Sequence, residues 1–138
     1  MSAVTLRSYK DRDYNAVTSI LKEGRLFSKH LDYRESLRNK IRTFPGSIIV
    51  ASTPKQIVGC VYVLREAHSI SHLTVKKKFR KKGIATMLLN AAEEYLISNN
   101  ISEWTLFALN DRADLHDYYT NRGYQKGNEF VIFTKKGR

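Results

Sequence analysis

Cysteine is almost missing from the 138-residue chain, which carries Cys60 alone. A single cysteine excludes an intrachain disulfide framework and a thiolate metal site, and a reducing compartment follows as the simple expectation. Cys60 lies in the apolar run IVGCVYV and reads as a packing residue, because nothing near it in sequence lowers a thiol pKa. No apolar run approaches the roughly 20 residues of a membrane span. The opening MSAVTLRSYK holds no hydrophobic signal segment, so a cytoplasmic protein without a membrane partner is expected. Proline is scarce as well: Pro45 and Pro54 fall in turns rather than in a linker. With no repeat and no low-complexity segment, residues 1–138 are expected to form one domain. No His, Cys or carboxylate cluster has metal-ligand spacing, so no metal is expected. A Gly-x-x-x-x-Gly-Lys-Ser/Thr loop, a three-glycine dinucleotide fingerprint and a Ser/His/Asp or Cys/His signature are all absent.

Acidic residues are outnumbered by basic ones, 13 against 24, for a formal charge of +11. Such a surface favours polyanions such as a nucleotide cofactor, RNA or an acidic protein, and disfavours a cationic polyamine as the main partner.

What is present has the order strand, helix, helix, three strands, helix, strand, helix, strands. Residues 3–8 read as a strand, and Asp11 or Asp13 offers an N-cap to a helix with Tyr14, Val17, Ile20 and Leu21 inward. A second helix is expected over about 33–43, with Tyr33, Leu37 and Ile41 on one face. SIIVAS, a turn at TPKQ, and IVGCVYVLRE form a hairpin, followed by a strand through SISHLTV. From Ile84, the residues Met87, Leu88, Ala91, Ala92, Tyr95 and Leu96 recur at helical spacing, ending at Asn99 and Asn100. EWTLFAL gives the next strand, about 112–121 a further helix closed by Gly123, and Tyr124–Gly127 and Phe130–Lys135 two closing strands. Only the strand, long helix, strand unit requires a parallel pair. The fold class is therefore α/β in the α+β sense, a mixed and mostly antiparallel sheet with about four helices.

The densest signal runs from His72 to Leu96: a strand, HLTV, enters the basic loop KKKFRKK, then a glycine, then the long amphipathic helix. The first amides of that helix and the positive end of its dipole lie in a loop already carrying Lys76, Lys77, Lys78, Arg80, Lys81 and Lys82. This is an anion site suited to phosphate, and Gly83 lets backbone approach it. Lysine runs more often mark solvated faces, nuclear import or nucleic-acid contacts, but this setting between strand and helix is more specific.

RKKGIA, from Arg80 to Ala85, resembles the Arg/Gln-x-x-Gly-x-Gly/Ala acyl-CoA signature of the GCN5-related N-acetyltransferases (GNAT), and the element order is similar to that family over essentially the whole chain. The resemblance implies acetyl-CoA as cosubstrate, with its pyrophosphate held by Arg80, Lys81, Lys82, Gly83, Ile84, Ala85 and Thr86. It implies a sheet splayed at its parallel pair, near Val75 and Leu109, so that the main chain of Leu73, Thr74 and Val75 faces the pantetheine arm. Unpaired strand amides there are costly unless a ligand takes them, and one of them would stabilise the developing oxyanion. YTNRGY resembles the family's Tyr-x-x-x-Gly-Phe/Tyr ending, which makes Tyr119 the proton donor to the departing thiolate, with Tyr118 a core residue or its substitute. Asn110 resembles the asparagine that contacts pantetheine; it stands nine residues before Tyr119, about two more than is common, and Asp111 or Arg112 are alternatives.

The expected activity is direct acetyl transfer to a primary amine. Glu66, His68, His72 and Glu129 are candidates for the base, and the residues favour none of them; alternation puts His68 and His72 on one face unless a bulge shifts the parity. The acceptor is expected against Lys22–Tyr33, with Arg25, Phe27, His30 and Asp32, and against Gln125–Glu129. Protein, small amine and aminoacyl-tRNA acceptors all stay open, as do monomer and homodimer. A basic nucleic-acid-binding module and a catalytically silent CoA-binding member are the competing readings.

Overall fold

Two apolar runs separated by the TPKQ turn make the centre of the sheet. β2 (Ile48–Ser52) and β3 (Ile57–Leu64) are buried along nearly their whole length, as strands covered on both faces must be. In this computed structural model, residues 3–137 are described. They fall into two units, residues 1–106 and 107–138.

In the first unit, β1 (Thr5–Ser8), β4 (Ser69–Val75) and β5 (Thr105–Leu106) complete a five-stranded sheet of order β1-β2-β3-β4-β5. Its first three junctions are antiparallel and β4–β5 is parallel, as the helical crossover demands. After a single 3₁₀ turn at Asp11–Asp13, α1 (Tyr14–Glu23) buries Val17, Ile20 and Leu21, and α2 (Arg34–Thr43) buries Leu37. These pack with Ile48, Val50, Cys60 and Tyr62 into one core. Asp13 caps no amide of α1 with its side chain; its carboxylate accepts from the Lys10 amide at 2.8 Å and pairs with Arg7 at 2.7 Å.

α3 (Ile84–Ser98) contacts β2, β3 and β4. Its buried stripe is Ile84, Leu88, Leu89, Ala92 and Leu96, while Met87 is exposed, so the helix is rotated slightly from the face expected of it. Each fully buried leucine contributes about 1.5–3 kcal/mol, which sets the packing of the loop that precedes this helix.

In the second unit, α4 (Ala113–Asn121) runs into Gly123 at φ 95°, and the Tyr124 amide closes the turn on the Tyr119 carbonyl at 3.1 Å. The two closing strands expected at Tyr124–Gly127 and Phe130–Lys135 are not formed: among the described residues no strand follows Leu106. Phe130, Val131, Ile132 and Phe133 are 78–92 % exposed. β-Branched and aromatic residues favour an extended chain, but a strand exists only when a neighbour accepts its ladder, and here none does. For the same reason the expected seven-residue EWTLFAL strand shrinks to the two residues of β5.

Candidate functional site

The basic loop starts where β4 ends. The Lys76 amide still donates to the Val58 carbonyl at 2.7 Å, and Lys77–Phe79 then make one 3₁₀ turn. The Glu23 carboxylate at the end of α1 accepts from the Lys77 amide at 2.6 Å, and Arg80 Nε donates to the Val75 carbonyl at 2.9 Å. Arg80 therefore ties the loop to its own strand, while Lys77, Lys78, Lys81 and Lys82 stay exposed.

Lys81 (φ 63°) and Gly83 (φ 83°) both take the left-handed conformation. It is uncommon for lysine and natural for glycine. Gly83 caps α3 without a side-chain bond, and a Cβ placed on it meets nothing within 4 Å. The amides of Ile84 and Ala85, at the positive helix end, have no intrahelical carbonyl to donate to. Open space, leading amides and uncompensated cations thus coincide, a donor set that fits a diphosphate.

Behind the loop, β4 pairs with β5 only at Ser69↔Thr105 and Ile70↔Leu106. From Ser71 to Val75 the strand has no ladder on that side. Leu73 is half-buried and Thr74 and Val75 are buried. On the other side the β3–β4 register slips between Cys60 and Tyr62, which pair with Thr74 and Ser71, so His72 and Leu73 share a single partner position. That is a β-bulge, and His72 takes it up at φ 57°.

The bulge turns His72 onto the same face as Ser71. The imidazole stacks on the Tyr62 ring with centroids 4.1 Å apart and planes 5° from parallel. Its Nδ1 is 2.8 Å from Ser71 Oγ, and its Nε2 is 3.2 Å from both oxygens of Asp32, a fully buried carboxylate. The α1–α2 loop is folded around Asp32: the Ser28 amide donates to its Oδ2 at 2.8 Å, its own amide donates to the Ser28 carbonyl at 2.7 Å, and Tyr14 Oη donates to its carbonyl at 2.9 Å. Burial, and secondarily the charge of Asp32, pushes the Tyr62 phenol far up and the Cys60 thiol up to about 12. Cys60 is fully buried, in keeping with a packing role.

None of the contacts of this cluster involves His68 or Glu66. His68 is exposed, in the left-handed position that ends a 3₁₀ turn at Arg65–Ala67. Glu66, in that turn, lines a shallow depression of about 260 Å³ with Tyr33 and Phe44. Glu129, in the second unit, is exposed.

In the second unit Tyr119 is buried in α4, edge-on to Tyr118 at 5.5 Å and Tyr124 at 6.0 Å. Desolvation first, then Tyr118, pushes its phenol up to about 12. Asn110 is exposed in the turn before α4, and Arg112 grips Asp114 through two bonds of 3.1 and 3.0 Å.

A family model described as an acetyltransferase (GNAT) domain matches residues 8–133. The chain belongs to the GNAT acetyltransferase family. Its sequence is 33% identical over 83 residues to the uncharacterized protein YxbD of Bacillus subtilis, a match covering 60% of this chain and 52% of that protein. The chain thus spans about half the length of that curated relative. Among solved structures, the fold is similar to Ard1 of Thermoplasma volcanium, with a TM-score of 0.78 and 18% identity over 91% of this chain and 85% of that one. It is also similar to the PaiA N-acetyltransferase of Thermoplasma acidophilum, solved with coenzyme A, with a TM-score of 0.76 and 15% identity over 93% of both chains. The GNAT-type fold, with its one parallel pair, is that of this chain.

Two partners of His72 were not visible in sequence. Asp32 stands 40 residues away, and Ser71 should point to the opposite face by strand alternation. No signal in the residues announces the bulge that joins them.

Proposed function

We propose that residues 1–138 act as one acyl-CoA-dependent N-acetyltransferase domain, carrying acetyl from acetyl-CoA directly to a primary amine. Family membership supports acetyl transfer in general, and the observation that carries the reading to this chain is Gly83. It is left-handed, uncovered and the residue that caps the start of α3, within a loop of exposed lysines.

When bound, the coenzyme supplies an activated thioester; the residues supply position and charge. Lys81 and Lys82, with the amides of Gly83, Ile84, Ala85 and Thr86, hold the diphosphate, and Arg80 keeps the loop on its strand. The main chain from Leu73 to Val75, without a ladder on its β5 side, offers donors to pantetheine and to the carbonyl oxygen as it gains charge. Asn110 contributes a further contact to the same arm. Holding both reactants together supplies much of the rate.

Tyr119 donates to the departing sulfur. A phenol pushed up to about 12 stays protonated throughout the working range, and it surrenders its proton reluctantly to a thiolate, whose usual pKa is about 8.5. Its contribution is therefore a hydrogen bond to sulfur. Such a bond to a charged acceptor is worth about 1.5–3 kcal/mol, so Tyr119→Phe should slow turnover about 10- to 100-fold and leave acetyl-CoA binding nearly unchanged. Unaltered turnover removes Tyr119 from the mechanism.

The decisive measurement is thermal unfolding with acetyl-CoA, which should stabilise the protein by about 2.7 kcal/mol at a hundredfold excess over its Kd. Thiol release against peptides, small amines and charged tRNA then identifies the acceptor. Stabilisation without thiol release marks a silent CoA-binding member. No stabilisation, with binding of RNA or DNA that weakens steeply as salt rises, supports a nucleic-acid module instead.

A further inference from the structure

We infer that Ser71, His72 and Asp32 form a proton relay on the acceptor side of the site, with Ser71 Oγ touching the attacking amine, His72 receiving its proton, and Asp32 holding the imidazole. This rests on the acyltransferase reading above.

The three groups lie in line, Ser71 Oγ to Nδ1 at 2.8 Å and Nε2 to Asp32 at 3.2 Å. An ionised carboxylate only accepts, so Nε2 carries the hydrogen that faces Asp32 and Nδ1 is left as the acceptor of the Ser71 hydroxyl. The lone pairs of Ser71 Oγ are then available to an N–H of the substrate. Ser71 is also the residue at which β4 loses its β5 partner, so the relay begins where the strand edge opens. His72 is held in a left-handed bulge, a strained conformation that the fold maintains at this one point of the strand.

The surroundings leave one charge to govern the imidazole. From β3 it meets Tyr62, stacked, and Cys60, whose Sγ contacts the His72 carbonyl at 3.6 Å. Neither ionises in the working range. From the α1–α2 loop it meets Asp32, whose buried carboxylate lies 3.2 Å from Nε2. As the N–C bond forms, the amine proton passes to Ser71 Oγ and the hydroxyl proton passes to Nδ1. The C–S bond breaks with its electron pair going to sulfur, and the imidazolium returns its proton to solvent.

The test is thiol release from acetyl-CoA as a function of pH, using the fastest acceptor from a panel of a lysine peptide, a peptide with a free N-terminus, n-propylamine and charged tRNA. Thermal stabilisation by acetyl-CoA is measured on every variant. Wild type should lose kcat/KM on the acid side as two groups protonate, the acceptor amine itself and one group of the enzyme. His72→Gln should remove the enzyme group's share of that limb, leaving only that of the amine, and lower kcat about 100-fold or more, with acetyl-CoA stabilisation retained. Asp32→Asn, which keeps the shape but not the charge, should lower kcat more than it raises KM, because the imidazole loses the charged acceptor that holds it. Ser71→Ala should lower kcat more than it raises KM. An acid limb that persists unchanged in His72→Gln, in a protein still stabilised by acetyl-CoA, overturns the relay and leaves the acyltransferase reading standing. Failure of acetyl-CoA to stabilise wild type overturns that reading and the relay with it, and stabilisation without thiol release from any of these amines overturns the relay.

Discussion

The two ends of β4 solve opposite problems. Beyond Val75 the chain keeps charge in the open: exposed lysines, a left-handed glycine and the leading amides of α3. At Ser71 and His72 it handles charge in the interior, where a fully buried carboxylate is held by a loop amide and an imidazole. A surface anion site needs only local backbone and can be made from consecutive residues. A buried ion needs partners on every side, and those come from distant parts of the chain.

Substitutions at each end can break this contrast. The largest effect is expected from Gly83→Glu, which sets a carboxylate over the diphosphate position and should abolish stabilisation by acetyl-CoA. Gly83→Ala is the control for backbone strain, since a side chain at φ 83° costs about 1–2 kcal/mol while its Cβ meets nothing. If Gly83→Glu is stabilised as well as Gly83→Ala, the phosphate site is wrongly placed.

Next comes Asp32→Ala, read by chemical denaturation. It strands the Ser28 amide and the imidazole N–H, each at about 1–3 kcal/mol, so a loss of about 3 kcal/mol is expected. A loss below ~1 kcal/mol would mean that the α1–α2 loop does not depend on Asp32, and the interior half of the contrast fails.

The smallest effect sharpens the comparison. A Cβ on Gly24 falls 2.6 Å from Thr74 Oγ1, where the end of α1 meets β4. Gly24→Ala should therefore cost about 1–3 kcal/mol by overpacking, whereas alanine at Gly83 is resisted by backbone alone. Equal stability of wild type and Gly24→Ala, measured by the same denaturation, would show that the helix end yields without strain.

Most of the first unit was legible in the residues. The β3 run and the α3 stripe are hydrophobic patterns whose period decides the element, and α2 and β4 fall close to where the pattern puts them. The basic loop between β4 and α3 was legible for the same reason, since strand, cations, glycine and helix are consecutive. The closing strands were not: Phe130–Lys135 has the composition of a strand, but composition does not provide a neighbour.

His72 shows the same limit inside the site. It appeared as one of four candidate bases, with its parity dependent on a bulge, and Asp32 appeared only among residues of the acceptor loop.

The linear order of residues determined this protein's family, its mixed sheet and the place of its basic loop, because each rests on patterns within about 25 contiguous residues, His72 to Leu96 above all. Tertiary structure alone decided that Ser71 and His72 face the same way and that Asp32 meets them. A one-residue slip in strand register and a contact across 40 residues are set by packing between elements, and no local propensity encodes either.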